Sequence, residues 1–218
     1  MKTTYYFAGH ETLSNRGCEA LLRSITTIVR SERPQATFLV PSFDPRRDGA
    51  QWPNALGAGV RFVPAYRLTG APKLWVRAQA SLPLLRRAWF PKPEVPSGIL
   101  AQVGEADACI MTGGDVLSLE YGMAGLIKYM GQAETFMRQG KPVMLWGGSV
   151  GPFTAMPDVE RQVVRHLGRY AAVTVRESAT QAYLRSLGLP EPMLVADPAF
   201  AMEPEAFDAN AAMPMERE

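Results

Sequence analysis

Between Val143 and Phe200 the chain repeats one pattern three times: an apolar run of strand length stops in glycine or charge, and a helical stretch follows the first two. The runs are Val143-Met-Leu-Trp146, Ala172-Val-Thr-Val175 and Met193-Leu-Val195, and they lead into Gly147-Gly-Ser-Val-Gly151, Arg176-Glu177 and Ala196-Asp-Pro-Ala-Phe200. Uninterrupted apolar runs belong to strands covered on both faces, the condition of a parallel sheet. Parallel neighbours cannot be joined by a hairpin, so the stretches near Asp158 to Tyr170 and Ser178 to Leu187 are expected as crossover helices. In open α/β sheets ligands lie beyond the carboxyl ends of the strands. Ser149, Arg176, Glu177 and Asp197 therefore describe one edge of an expected cleft.

The same alternation fills the earlier sequence. Thr4 to Ala8 is β-rich, a polar and glycine-containing turn follows, and Gly17 to Val29 carries apolar residues at helical spacing. Phe38–Val40 and Val60–Val63 read as buried strands, separated by a loop rich in Pro, Asp, Arg and Gly around Asp44 to Gly49. Residues 72–90 form an amphipathic helical stretch that Pro83 interrupts. Ala106–Met111 enters Thr112-Gly-Gly114 as strand into tight turn, and Met123 to Gln139 supplies another helix. The expected fold class is α/β: a doubly wound parallel sheet with helices on both faces. Past Met202 no strand or helix period continues, so residues 1–201 are expected to form one domain and 202–218 a poorly ordered tail.

A chain of 218 residues with 47% hydrophobic content can bury one full core and does not require two. A formal charge of +2 is too slight to point to nucleic acid, and no interleaved aromatic and basic cluster suggests a base-stacking platform. Cys18 and Cys109 cannot make a disulfide framework, and no Cys/His spacing reads as a metal site. With no leader-like N-terminus and nowhere eighteen consecutive apolar residues, the expected setting is reduced and cytoplasmic. Residues 61–92 stand out because seven basic residues occur there with no acidic one, among Leu74, Trp75, Leu82, Leu84, Leu85, Trp89 and Phe90. This segment reads either as a peripheral contact with an anionic membrane or as a helix packed on the sheet with a solvated basic face.

Several residues could carry chemistry, and each has a purely structural alternative. In Gly9-His-Glu-Thr-Leu-Ser-Asn-Arg-Gly17 free backbone N–H groups at a helix start favour an anion, or Ser14 or Asn15 merely caps the helix and Gly17 eases the turn. The loop lacks the dinucleotide fingerprint. His10 could serve as an acid near neutral pH, or be a solvated loop residue. Gly113 and Gly114 let backbone approach a substrate or simply make room for packing, and Asp115 behind them could act as a base. Gly147-Gly-Ser-Val-Gly151 fits a nucleophile-elbow pattern literally, but a hydrolase needs a later Asp or Glu and then His, and His166 precedes Asp197. Arg176 follows a buried strand and must place a guanidinium at the sheet edge, either to grip a carboxylate or phosphate or to pair with Glu177 or Asp197.

Asn15-Arg-Gly-Cys-Glu-Ala20, Thr112-Gly-Gly-Asp115 and the ordered motifs from Val143 to Phe200 together resemble the polysaccharide pyruvyl transferase family over residues 4–201. The resemblance implies the Rossmann-like N-terminal half of a two-domain GT-B enzyme, with the second domain absent from this chain. The implied reaction transfers the enolpyruvyl unit of phosphoenolpyruvate to a saccharide of a cell-surface polysaccharide, forming a pyruvate ketal without a cofactor. The acceptor is expected to be lipid-linked. Arg176 would then be the anion clamp, with Asn15, Gly17, Gly113, Gly114 and Ser149 at the substrate, His10 as acid and Asp115 or Glu177 as base. Alone, the chain is expected to turn over poorly. Two other readings stay open: a non-catalytic half completed by a second chain, and a nucleotide-sugar glycosyltransferase of the same two-domain plan.

Overall fold

The computed structural model describes residues 2–91 and 97–203. The tail expected at 202–218 therefore lies outside the described residues from 204 on, as does Lys92 of the basic segment. The described residues form a seven-stranded sheet of β1 (Thr4–Ala8), β2 (Thr37–Ser42), β3 (Val60–Pro64), β4 (Ala108–Met111), β5 (Val143–Leu145), β6 (Ala172–Val175) and β7 (Met193–Leu194). The order is β3-β2-β1-β4-β5-β6-β7, and every neighbouring pair is parallel. Tyr6 pairs in register with Leu39 on one side and Cys109 on the other, which places β1 and β4 together at the sheet's centre.

The connecting helices are α1 (Arg16–Glu32), α2 (Pro45–Gln51), α3 (Gly70–Ser81), α4 (Leu84–Ala88), α5 (Ser97–Glu105), α6 (Gly122–Arg138), α7 (Pro157–Leu167) and α8 (Ser178–Ser186). Helix α7 shows why these segments fold as they do. Pro157 fixes the first turn, Asp158 and Glu160 meet the positive end of the helix dipole, and Arg165 and His166 meet the negative end. Val159, Val163 and Leu167 recur every fourth residue and are buried together.

Two cores flank the sheet, so the doubly wound α/β class expected from the sequence is what the chain adopts. On one face α1 packs Leu22 and Ile25 over Phe7, Phe38, Val40 and Ile110, with Trp52 and Ala55 closing the flank. On the other, α3, α6, α7 and α8 bring Trp75, Phe136, Val163 and Leu184 onto Tyr6, Met111, Leu145 and Val175. Each fully buried large apolar side chain is worth about 1.5–3 kcal/mol, so these two layers dominate the fold's stability.

The loop expected around Asp44 to Gly49 is instead a short helix. The Asp44 carboxylate accepts from the Arg47 N–H at 3.1 Å and Pro45 occupies the first helical position, a start that outweighs the loop-like composition. Its Asp48 is buried, accepting from the Leu13 N–H at 3.1 Å and from the Ser42 hydroxyl at 2.6 Å. One carboxylate thus ties the loop after β1 to the end of β2.

Candidate functional site

The sheet order creates a switch point. From β1 the chain leaves through α1 on one face and moves outward to β2 and β3; from β4 it leaves through α6 on the opposite face and moves outward to β5. In open α/β sheets connections that part in this way mark the carboxyl ends of the two strands, here β1 and β4, as the place where ligands bind. Two glycines let the loops after these strands meet. Gly9 has φ +95° and Gly113 φ +129°, and a Cβ at Gly9 would lie 2.2 Å from the Thr112 carbonyl oxygen.

His10 stands behind this contact, its Cε1 3.7 Å from where a Cβ at Gly113 would be. It is 2% exposed, and neither ring nitrogen has a hydrogen-bond partner among the described residues. Burial pushes its pKa down to about 4. Of the two readings of His10, the solvated loop histidine is corrected here: the closed contact of the two loops removes the water that would hydrate an imidazolium.

From Gly114 a chain of polar contacts runs across three strand ends. The Gly114 carbonyl accepts from the Ser149 N–H at 2.8 Å, and beyond it Leu117 and Val150 form a parallel bridge. The Ser149 hydroxyl donates to Glu177 Oε1 at 2.7 Å, and the Thr180 hydroxyl donates to the other oxygen at 2.8 Å. Arg176 donates through Nη1 to Asp197 Oδ2 at 2.7 Å and through Nε to Glu177 Oε1 at 3.3 Å. Its Nη2 reaches Ser149 Oγ at 3.5 Å and faces Gly114, where a Cβ would stand 3.1 Å away. Asp197 also caps the 3-10 helix Pro198–Ala201, accepting from the Ala199 N–H at 2.9 Å. Ser149, Gly114, Arg176, Glu177 and Asp197 are thus assembled in one place, and the ion pairs of Arg176 with Glu177 and Asp197 are both present.

The electrostatics of this cluster separate two carboxylates. Partial burial alone would raise the Glu177 pKa, but the hydrogen bonds from Ser149 and Thr180 and the Arg176 charge outweigh it and hold the carboxyl below its ordinary range. The Asp115 carboxylate, at the other end of the turn, makes no hydrogen bond or ion pair among the described residues and is left available. A guanidinium carries five N–H donors, so after its three named contacts Arg176 retains donors for a ligand.

Asn15 and Gly17 make no hydrogen bond to Arg176 among the described residues, although α1, which they open, packs on the 3-10 helix that Asp197 caps. The Asn15 side chain accepts from the Gly17 and Cys18 N–H groups at 2.9 and 3.4 Å, so the cap occupies the donors expected to cradle an anion. The phenol of Tyr121 has its pKa raised by partial burial and then by Cys18 and Asp115.

Sequence spacing misses a further pair at the same edge. Lys128 on α6 donates to Glu11 Oε2 at 2.6 Å, with both side chains largely buried, while Glu11 Oε1 is buried without a partner. The only hint is a lone cation among the apolar residues of the first two turns of α6. A separate cavity of about 750 Å³ runs along α1 between Arg16, Arg23, Trp52 and Met202. Its central carboxylate, Glu19, is engaged by Arg16, Arg23 and Gln51, and Ala201, from the 3-10 helix that Asp197 caps, lines it as well. Among the described residues no group of three His, Cys, Asp or Glu side chains is placed to hold a metal ion.

A parallel, doubly wound sheet with paired and unpaired carboxylates and an arginine at its carboxyl edge defines a Rossmann-like domain with a polar strand-end cluster. A family model described as polysaccharide pyruvyl transferase matches residues 15–215, and the chain belongs to that family. The family takes its name from a pyruvyl transferase of polysaccharides. No curated protein matches the chain in sequence. Among solved structures it is similar to a complex of S. aureus MnaA with UDP, at 10% identity and a TM-score of 0.47, over 96% of this chain. The chain spans about half the length of that protein, 50%.

The buried histidines predict an acid sensitivity. His166, near Glu134 and Tyr170, also has its pKa lowered to about 4, by burial first, which Glu134 partly opposes. Each ring binds a proton more readily unfolded, with a pKa near 6.5, than folded. Stability is therefore full above pH 6.5 and falls as pH drops towards 4, by up to about 3 kcal/mol for each histidine. Urea midpoints measured across this range should fall steadily, with a shallower slope in His10→Gln. A flat profile would show that the rings are hydrated.

Proposed function

We propose that this chain supplies the site of a pyruvyl transferase that uses phosphoenolpyruvate as donor and converts two hydroxyls of a saccharide into a pyruvate ketal. The observation that carries the reading is the Arg176 guanidinium, held at the junction of three strand ends with its Nη2 towards Gly114 and Ser149. A carboxylate or phosphate can be gripped there by two parallel N–H bonds, and phosphoenolpyruvate offers both. In the reaction the donor methylene gains a proton and becomes a methyl group, a sugar hydroxyl oxygen bonds to the adjacent carbon, and the C–O bond to phosphate breaks. A second hydroxyl then closes the ketal. Of the two hydroxyl protons, one balances that gained by the methyl and the other leaves as part of hydrogen phosphate.

Asp115 is the better-placed base, because its carboxylate is unengaged whereas both Glu177 oxygens accept hydrogen bonds. Glu177 acts instead as the anchor that orients Arg176 and Ser149. His10, neutral and enclosed, serves as acid only if donor binding brings it a proton and a partner. Two carboxylates share the guanidinium, so the full charge of the donor calls for further cations, which a second domain or a second chain would provide.

Binding can be tested without turnover. At a hundred times its dissociation constant a ligand adds about 2.7 kcal/mol of stability, a rise of roughly 5–10 °C in Tm for a chain of this size. Phosphoenolpyruvate should produce that rise, whereas inorganic phosphate and nucleotide-diphosphate sugars should not. A rise with nucleotide sugars alone would instead make the chain a nucleotide-sugar glycosyltransferase domain.

A further inference from the structure

Along α3 and α4 the surface carries large apolar side chains that nothing among the described residues covers. Leu74 is 65% exposed, Leu82 63%, Leu84 74% and Trp89 49%. Leu74, Ala78 and Leu82 follow one another at four-residue spacing, which aligns them on one side of α3. The opposite side is fixed to the core: Trp75 is buried, donates from its indole to the Trp89 carbonyl at 3.0 Å, and packs edge-on against Trp89 and Phe90. The helix is therefore properly docked, and its leucines remain outside.

The charges beside them are of one sign. Arg61 is paired with Glu105, Arg86 with Asp158, and Arg67 lies over the Phe43 ring. Lys73 and Arg77 form no ion pair among the described residues, and Arg87, its side chain 73% exposed, only approaches Asp158 at 4.0 Å. Asp158 belongs to the first turn of α7, the helix entered from the carboxyl end of β5. The stripe consequently ends, at Leu82 and Leu84, on the rim to which the strand ends open.

We propose that this surface docks on an anionic lipid bilayer, with Leu74, Leu82, Leu84 and Trp89 entering the boundary between headgroups and acyl chains and Lys73, Arg77 and Arg87 facing lipid phosphates. A second copy is a poorer occupant, because a two-fold contact would set these cations against themselves. The docking is independent of the donor; it leans on the proposed function only in bringing a lipid-held saccharide to the rim.

Co-sedimentation of the full chain with vesicles tests it, using equal parts phosphatidylglycerol and phosphatidylcholine against phosphatidylcholine alone. Binding should occur only to the anionic vesicles, shift Trp89 emission to the blue relative to Trp89→Phe, and be released by salt. Two double variants at exposed positions, Leu82→Glu with Leu84→Glu and Lys73→Glu with Arg77→Glu, should each lower the partition coefficient by about tenfold or more. Melting curves establish that the variants fold. Absence of wild-type binding, or binding that both double variants retain, overturns the docking. So does wild-type self-association that Leu82→Glu with Leu84→Glu abolishes, which assigns the surface to a second copy. Phosphoenolpyruvate titrations run separately, so vesicle binding lost with donor binding kept refutes the docking alone.

Discussion

Arg176→Ala is expected to weaken phosphoenolpyruvate binding by about 30-fold or more in calorimetry, the loss of about 2 kcal/mol or more that follows when one partner of a close charged pair is removed. Part of the effect comes from what remains. Without the guanidinium, Glu177 and Asp197 present two carboxylates to an incoming anion with no cation between them. Arg176→Lys keeps the charge but loses the fork that reaches Asp197, Glu177 and Ser149 together, so its affinity should fall between the two. The effect on stability is small by comparison, because the Arg176 and Glu177 side chains are 22% and 46% exposed and water screens their pair. If Arg176→Ala binds the donor within about threefold of the parent, the arginine only ties strand ends together.

Gly9→Ala carries the largest structural penalty of the changes considered. The new methyl would stand 2.2 Å from the Thr112 carbonyl oxygen, a backbone atom held in place because the Thr112 N–H donates to the Ala8 carbonyl at 3.0 Å. The residue would also have to adopt φ +95°, which costs a side chain of its own accord. Together these should remove roughly 3–5 kcal/mol and lower Tm by about 10 °C. Donor binding should fall with it, since the loops after β1 and β4 must part to admit the methyl. A Tm within about 2 °C of the parent would mean that the two loops do not meet in solution.

The central strands were legible because both of their faces are covered, which leaves an apolar run with few interruptions, as in Val143–Leu145 or Ala172–Val175, whereas Met193 and Leu194 of the edge strand β7 are exposed. Arg176 was legible for the complementary reason: a charge directly after such a run has only the sheet edge to occupy. Helix α2 was hidden because Asp44, Pro45 and Gly49 also compose loops, although Asp44-Pro45 is a cap followed by a first-turn proline. Spacing could not disclose the Glu11–Lys128 pair, whose members are 117 residues apart. Nor could the loop composition around His10 disclose its burial, which depends on a glycine a hundred positions away. Asn15 was legible as a helix cap, which its hydrogen bonds from the Gly17 and Cys18 N–H groups display.

Ser149 belongs to three strand ends at once: it follows β5, its amide reaches the turn after β4, and its hydroxyl reaches the residue after Arg176. A visiting molecule meets a rim whose shape was settled when the chain folded. Under the proposed function, little disorder would be left to surrender on capture, and choice among competing anions would rest on fit to a fixed outline rather than on the protein remoulding itself around each.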